Sequence, residues 1–201
     1  MSRVSTELTP SERAAYEWIA QALPKGYWAM MVFMAGMLTF LWFARGPDHP
    51  AFALTLAAWT LALGPGVAVP VTQRLPRHWF RVPASERILH RMLGVGIFRW
   101  LLERSGWERH VHKREFHATR AGLPSLEVAL RSNAGAYGTC FAIHVLLAGL
   151  ALLTGHTWGA LWILLPGVGV HLYPVLLQRS IMLRLQPLLD RSGLDHLALK
   201  P

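Results

Sequence analysis

The stretch "YWAMMVFMAGMLTFLWFA", residues 27–44, has no charged side chain and carries a tryptophan near each end. An α-helix rises about 1.5 Å per residue, so about 20 apolar residues cross a hydrocarbon core about 30 Å thick. Tryptophan side chains are enriched at both membrane–water interfaces. The stretch therefore predicts a helix that spans a membrane.

Further apolar runs continue along the chain, and they occupy residues 51–71, 134–154 and 158–178. In the 201-residue chain, 53% of the residues are hydrophobic and 15% are charged, which is outside the usual composition of a soluble domain. Short turns separate the first run from the second and the third from the fourth. We predict an all-α membrane protein whose four transmembrane helices form two hairpins, over residues 27–71 and 134–178.

The second run contains Gly64-Pro65-Gly66 and Pro70. A proline inside a helix removes one backbone donor and clashes with the carbonyl group four residues earlier. Broken helices occur in membranes where neighbours can satisfy the freed carbonyl groups. We therefore expect this span to be kinked or broken.

Basic residues are concentrated between the two hairpins. Residues 72–133 hold twelve Lys and Arg against five Glu, a net charge of +7, whereas the turns at 45–50 and 155–157 hold one Arg and none. The positive-inside rule predicts that residues 1–26, 72–133 and 179–201 are cytoplasmic in a bacterial-type cytoplasmic membrane. Such a surface suits lipid head groups or the phosphate groups of a donor. No zinc-finger, helix-turn-helix or base-stacking pattern accompanies it, so nucleic acid is not an expected partner.

Two polar segments have the pattern of amphipathic helices at a membrane surface. Residues 9–23 begin with Thr9 as N-cap, Pro10 at the first helical position and Glu12 at the capping-box position. Residues 85–106, within the basic connector, combine arginines with large apolar side chains. We expect both segments to lie along the bilayer surface.

One histidine lies in each of the last two runs. His144 and His171 are equally far from the turn between these runs, so we expect them at the same depth in the membrane. Ionisable groups at such a depth normally face a partner or a cavity. Three interpretations remain open: a hydrogen-bonded pair inside the bundle, catalysis by these histidines, or axial ligation of a tetrapyrrole. A metal site is not expected, because the spans supply no Asp, no Glu and no second Cys.

The fourth run places polar side chains on one helix face. His171, Pro174 and Gln178 are spaced i, i+3 and i+7. Arg179 and Arg184 follow at the expected cytoplasmic interface. Arginines there can extend their charge to the interface or bind an anion.

The end of this run carries a family pattern. The segment "YPVLLQRSIMLRLQPLLDRSG", residues 173–193, resembles the C-terminal signature of the glycosyl-4,4'-diaponeurosporenoate acyltransferase family, small membrane proteins that acylate a glycosylated carotenoid. The matching residues are Pro174, Gln178, Arg179, Arg184 and Leu185. The upstream segment "ERILHRMLGVGIFRWLLERSGW", residues 86–107, is similar to a second stretch of the family, with Phe98-Arg99 where the family has an aromatic and a basic residue.

The resemblance implies an acyltransferase that acts on a lipid or glycosylated isoprenoid at the cytoplasmic face. The donor would be acyl-CoA or an acyl carrier protein, and no cofactor is required. His171, or His144 beside it, would deprotonate the acceptor hydroxyl group. The residues then expected to bind substrate or an anion are Tyr173, Gln178, Arg179 and Arg184, with Lys113 and Arg114 of the connector.

Two departures from the family pattern favour a second hypothesis. The Glu-x-x-His pair of the family aligns with Ala136 and Thr139, and its Tyr-Asn-Arg aligns with Ser180-Ile181-Met182. The alternative is a non-catalytic integral subunit of a larger complex that binds lipid, pigment or a membrane protein partner. A small transporter is a third class, but no span contains an acidic residue, which disfavours a cation pathway.

Overall fold

A computed structural model describes residues 23–105 and 123–192, together with Glu17. These residues form helices and turns, with no β-strand among them, which confirms the all-α prediction. The elements in chain order are α1 (Tyr27–Arg45), α2 (Pro50–Arg74), a 3₁₀ turn (Arg77–Phe80), α3 (Glu86–Met92), α4 (Val95–Ser105), α5 (Leu123–Leu153), α6 (Thr157–Pro166), a π-helical segment (Gly167–Leu172) and α7 (Tyr173–Ser192). Apart from Glu17 and Leu23, the amphipathic segment predicted at residues 9–23 lies outside the described residues.

Within residues 23–105 and 123–192, four helical stretches are long and apolar enough to cross a membrane, which agrees with the predicted number of spans. They are Tyr27–Arg45, Pro50–Arg74, Ser125–Leu153 and Thr157–Arg191, the last of which runs through α6, the π-helical segment and α7. α5 is the central helix, because it packs on α2, α6 and α7, whereas α1 packs mainly on α2. The protein is therefore an integral membrane protein of four helical spans.

The two hairpins are joined where their short turns meet, at what we call the loop end. The Asp48 carboxylate accepts a hydrogen bond from Nδ1 of His156 and another from the N–H of Gly159, both at 2.6 Å. A Cβ atom on Gly159 would lie 2.8 Å from the carbonyl carbon of Pro47, so glycine permits this close approach. The hydrogen bond from His156 holds the pKa of Asp48 below its ordinary value. The opposite end, where α2 ends at Arg74, is called the basic end.

α2 is one helix from Pro50 to Arg74, so of the two expected outcomes, a kink or a break, the break at Pro65 and Pro70 does not occur. In a regular helix the N–H of Gly66 would bond to the carbonyl group of Ala62. Here the Tyr27 hydroxyl group lies between them: it accepts from the N–H of Gly66 at 3.2 Å and lies 2.8 Å from the carbonyl oxygen of Ala62, to which it can donate. A neighbouring helix thus satisfies the polar groups beside Pro65, and the helix continues.

α5 and α7 extend beyond the predicted spans at the basic end. α5 begins at Leu123 rather than at residue 134, and α7 ends at Ser192 rather than at residue 178. At about 1.5 Å per residue, α5 is about 46 Å long, longer than a hydrocarbon core. The extensions are stabilised by a buried apolar cluster: Phe80, Val82, Leu123, Leu130, Ala134, Met182, Leu185 and Leu189.

The interfacial segment predicted at residues 85–106 forms two helices rather than one. α3 and α4 are separated by Gly94, whose φ of 67° lies in the left-handed region that favours glycine. Both helices expose large apolar side chains, among them Ile88, Met92, Ile97 and Trp100. Exposed apolar residues beside arginines agree with a position at a membrane surface.

Candidate functional site

The two histidines predicted as catalytic residues meet inside the bundle. The ring centroids of His144 and His171 are 5.2 Å apart, and both residues are 0% exposed. The Thr60 hydroxyl oxygen on α2 lies 3.2 Å from Nε2 of His144 and 2.7 Å from Nε2 of His171. The structure therefore brings together the two histidines that were expected at one depth.

When both rings are neutral, the hydrogen bonds determine which ring nitrogen carries each proton. Nδ1 of His144 lies 2.7 Å from the carbonyl oxygen of Ile163, which can only accept, so this nitrogen donates. Nε2 of His144 is then an acceptor. The single hydroxyl proton of Thr60 can go to this nitrogen or to the carbonyl oxygen of Leu56, which lies 2.9 Å away, and the Thr60 oxygen accepts from Nε2 of His171. Nδ1 of His171 is left as an acceptor, and it has no hydrogen-bond partner in the described part of the chain.

The approach of the two rings depends on the π-helical segment and on its first residue, Gly167. Pro166 has no N–H group, and the N–H of Gly167 bonds to the carbonyl oxygen of Leu164. The carbonyl oxygen of Ile163 is therefore available to His144. A Cβ atom on Gly167 would lie 2.7 Å from Cβ of His144, so a larger residue would push α6 away from α5.

This geometry does not fit axial ligation of a tetrapyrrole by the pair. Nε2 of His144 and Nε2 of His171 lie close to the same hydroxyl group, that of Thr60, so the rings do not bracket a macrocycle. Cys140 packs beside them, and its Sγ donates to the carbonyl oxygen of Thr60 at 3.1 Å. Across residues 23–105 and 123–192, no three His, Cys, Asp or Glu side chains are placed to hold a metal ion.

At the basic end, Arg179 of α7 binds Glu86 of α3. Nε of Arg179 donates to Oε2 of Glu86 at 2.9 Å, and Nη2 donates to Oε1 at 2.5 Å. Nη1 donates to the carbonyl oxygen of Trp79 at 3.2 Å. The hydrogen bonds from Arg179 hold the pKa of Glu86 below its ordinary value. The arginine expected to bind an anion thus holds a carboxylate of the protein in a bidentate pair.

His90 lies one turn after Glu86 on α3 and is 6% exposed. Its Nε2 is 3.7 Å from Oε2 of Glu86 and makes no hydrogen bond with any described residue. Burial lowers the pKa of His90, and this effect outweighs the opposing effect of the Glu86 charge. The lowered pKa favours the neutral form of the His90 imidazole, in which one ring nitrogen can accept a proton. We call Glu86, His90 and Arg179 the basic-end group.

Sequence analysis did not identify Glu86 or His90 as functional residues. Their i, i+4 spacing puts both side chains on one helix face, and that signal was present in the sequence. No pattern in the sequence predicts the contact of Glu86 with Arg179, because 93 positions separate these two residues. Only the packing of α3 on α7 brings the three residues together.

The other residues predicted to bind substrate have different surroundings. Tyr173 donates to the carbonyl oxygen of Leu93 at 2.9 Å and stacks on Phe98 with ring centroids 5.1 Å apart, so it holds α3 and α4 against α7. Gln178 is partly buried, and its Oε1 has no hydrogen-bond partner among the described residues. Arg184 is exposed on α7. Outside the described residues lie the two predicted binding residues of the connector, Lys113 and Arg114.

Comparison with known proteins finds a family whose model covers the basic end of the molecule. A family model described as glycosyl-4,4'-diaponeurosporenoate acyltransferase matches residues 76–191, more than half of the 201-residue chain. The matched range includes Glu86, His90, Gln178 and Arg179. Comparison with the curated proteins and with the solved structures finds no match.

Proposed function

The chain belongs to the glycosyl-4,4'-diaponeurosporenoate acyltransferase family, and on that premise we propose that it acylates a hydroxyl group of a glycosylated isoprenoid or lipid. Family membership confirms the resemblance inferred from residues 173–193. We propose that the reaction takes place at the basic end, on the cytoplasmic side of a bacterial-type cytoplasmic membrane. The positive-inside rule supports this orientation, because the connector and α7 carry the arginines.

The observation that carries this proposal is the basic-end group. It combines a buried neutral imidazole, His90, with a carboxylate, Glu86, and an arginine, Arg179, of the family's Gln-Arg motif. Oε2 of Glu86 lies 3.7 Å from Nε2 of His90, beyond hydrogen-bond distance but close enough for its charge to stabilise the imidazolium that a general base becomes. An imidazole in this environment is suited to removing a proton from an alcohol.

In the proposed mechanism, His90 takes the proton of the acceptor hydroxyl group while the hydroxyl oxygen attacks the carbonyl carbon of an acyl thioester. A carbon–oxygen bond forms, and the carbon–sulfur bond breaks when the tetrahedral intermediate collapses. The imidazolium then returns the proton to the departing thiolate, so the products are an ester and a free thiol. Glu86 stabilises the imidazolium during this exchange.

Arg179 and Gln178 have separate roles in this proposal. A guanidinium group has five N–H donors, and the contacts of Arg179 with Glu86 and Trp79 use three of them, so donors remain for the oxyanion of the intermediate. Oε1 of Gln178 is a buried acceptor that suits a hydroxyl group of the acceptor.

We assign the base to His90 rather than to His171 or His144. Those two side chains are 0% exposed in the interior of the bundle and share Thr60, whereas His90 is 6% exposed and lies on α3 beside Glu86, which binds Arg179. A base must reach the hydroxyl group that it deprotonates within hydrogen-bond distance, directly or through one water. We infer that the buried pair supports the bundle.

The test is acyl transfer by the protein reconstituted in nanodiscs, with labelled palmitoyl-CoA and the lipid extract of a strain that lacks the gene. His90→Gln should lower the rate about 10²- to 10⁴-fold, which is the usual contribution of a general base. His49→Gln, at the loop end, is the matched control and should leave the rate unchanged. Loss of transfer in His171→Gln but not in His90→Gln would refute the assignment of the base to His90.

A non-catalytic subunit is the second candidate function, and one observation favours it. At the positions of the family's Glu-x-x-His pair, Ala136 is buried, and the Thr139 hydroxyl group donates to the carbonyl oxygen of Gly135 at 2.9 Å. Neither side chain can act as an acid or a base. On this hypothesis the protein purified in mild detergent carries a stoichiometric protein partner or pigment, seen by mass spectrometry or absorption, and transfers no acyl group.

A further inference from the structure

A cavity of about 670 Å³ opens at the basic end, beside the basic-end group. Its apolar lining comes from α7, from the last residue of the 3₁₀ turn and from the chain just after that turn. It consists of Phe80, Val82, Pro83, Met182, Leu185 and Leu189. This volume lies within the range of about 300–1,000 Å³ that is typical of small-molecule sites. Nothing in the mechanism above uses this cavity.

The cavity is built by the extensions of α5 and α7 beyond the predicted spans. Met182 follows Arg179 by less than one helical turn, and Phe80 follows Trp79, whose carbonyl oxygen binds Arg179. The amide group of Gln186 can pair with both main-chain groups of Val82, accepting from its N–H at 2.9 Å and donating to its carbonyl oxygen at 3.1 Å. The wall is therefore held in place next to the reacting groups.

The charged lining argues against a polyanion inside the cavity. The ionised side chains are Arg81, Glu127 and Asp190, which sum to a net charge of −1 when His78 is neutral. Phosphate groups prefer sites in which arginine and lysine predominate. The part of a ligand that enters this cavity is therefore not a phosphate group.

The aromatic lining argues against a sugar ring. The guanidinium carbon of Arg131 lies 5.4 Å from the centroid of the Phe80 ring, so one face of that ring already has a cationic partner. The remaining apolar lining is aliphatic or thioether, which packs well against an alkyl chain.

We propose that this cavity holds the acyl chain of the donor, carried as a thioester on a phosphopantetheine arm. The thioester would lie at the Arg179 end of the cavity, and the phosphate would remain outside, where Arg184 and Arg191 are exposed on α7. This inference rests on the proposed function, since it names the donor site of the same reaction. Both acyl-CoA and an acyl carrier protein present this arm.

Variants that change the cavity volume in opposite directions test the proposal. Met182→Trp shortens the cavity and Leu185→Ala enlarges it, whereas Leu188→Trp, on an exposed part of α7, is the control. The measurement is kcat/KM over a series of saturated acyl-CoA thioesters of increasing chain length. We expect the preferred chain to become shorter in Met182→Trp and longer in Leu185→Ala, with ratios shifted about tenfold or more for each methylene group that no longer fits. General destabilisation cannot shift the preference in both directions.

A second experiment uses the same acyl chains loaded on an acyl carrier protein. Shifts in chain-length preference with either donor support the cavity assignment. The donor with the higher kcat/KM shows whether the phosphopantetheine arm comes from acyl-CoA or from an acyl carrier protein. If wild type transfers acyl groups but all variants keep its chain preference, the cavity assignment is wrong and the proposed function stands. Higher KM for the acceptor, with the chain preference unchanged, would also overturn it.

A binding measurement tests the cavity assignment independently of acyl transfer, and so independently of the proposed function. The probe is a non-hydrolysable alkyl-CoA thioether, titrated into the nanodisc-embedded protein. One outcome is that the wild type binds the thioether but transfers no acyl group, with binding at least tenfold weaker in Met182→Trp and unchanged in Leu188→Trp. In that case the cavity assignment stands and the catalytic proposal fails. Equal binding of the thioether by all variants would refute the cavity assignment.

Discussion

Both carboxylate oxygens of Glu86 accept hydrogen bonds from the guanidinium group of Arg179, at 2.5 and 2.9 Å. This pair joins α3 to α7, the continuation of the last span. It also places Oε2 of Glu86 3.7 Å from Nε2 of His90. The charge state and position of the proposed base therefore depend on a contact between two distant parts of the chain.

Arg179 and Glu86 should shift the acid limb of the pH–rate profile in opposite directions. The base acts when unprotonated, so activity falls as the pH drops through the pKa of His90. Arg179 lowers this pKa and Glu86 raises it. In kcat/KM profiles, Arg179→Gln should move the acid limb to higher pH and Glu86→Gln to lower pH.

The control for that profile is Arg99→Gln. Arg99 pairs with Glu103 on α4 at 2.6 Å, an exposed ion pair outside the basic-end group. Its removal should leave the acid limb where it is in wild type. An acid limb at one pH in all the variants would exclude His90 as the titrating base.

Gly167→Ala should destabilise the bundle, because the added Cβ would lie 2.7 Å from Cβ of His144. Overpacking of this kind costs about 1–3 kcal/mol. Gly169→Ala is the matched control within the same π-helical segment, since an added Cβ there would meet no other part of the described structure within 4 Å. Thermal unfolding in detergent measures both. Equal unfolding temperatures would mean that α6 can move away from α5 without cost.

Thr60→Val should destabilise the protein by leaving the Nε2 atoms of His144 and His171 without their shared partner. Loss of one partner of a buried polar group costs about 1–3 kcal/mol. Thr60→Ser keeps the hydroxyl group and should restore most of the stability. Thr154→Val removes an exposed hydroxyl group that bonds to its own helix at 2.9 Å, and should have little effect. Similar losses for Thr60→Val and Thr154→Val would contradict the role assigned to Thr60.

Asp48→Asn should weaken the junction of the hairpins in a pH-dependent way. Because the folded protein lowers the pKa of Asp48, this carboxylate contributes stability above its ordinary pKa of 3.8, and the contribution is lost as the pH falls through the lowered value. The difference in unfolding temperature between wild type and Asp48→Asn should therefore be present at neutral pH and vanish in strong acid. A difference that grows on acidification would be the opposite of what this sign requires.

Much of the fold could be predicted from sequence because it follows from properties of single segments. The run of residues 27–44 is apolar over a membrane thickness, and this is visible without any knowledge of its neighbours. The boundaries of α5 and α7 were not visible, because Leu123 and Leu189 become core residues only when they pack around Phe80. The continuity of α2 was also hidden, since the Tyr27 hydroxyl group comes from another helix.

Some features of the candidate site could likewise be predicted from the sequence, and others could not. The sequence by itself determined the four spans, the basic end, the family and the common depth of His144 and His171. Only the tertiary structure decided that these histidines share Thr60, and that Glu86 and His90 meet Arg179. Hydropathy adds up along one helix, whereas a hydrogen bond needs two groups about 3 Å apart. Where the groups lie on helices distant in sequence, packing alone sets that distance.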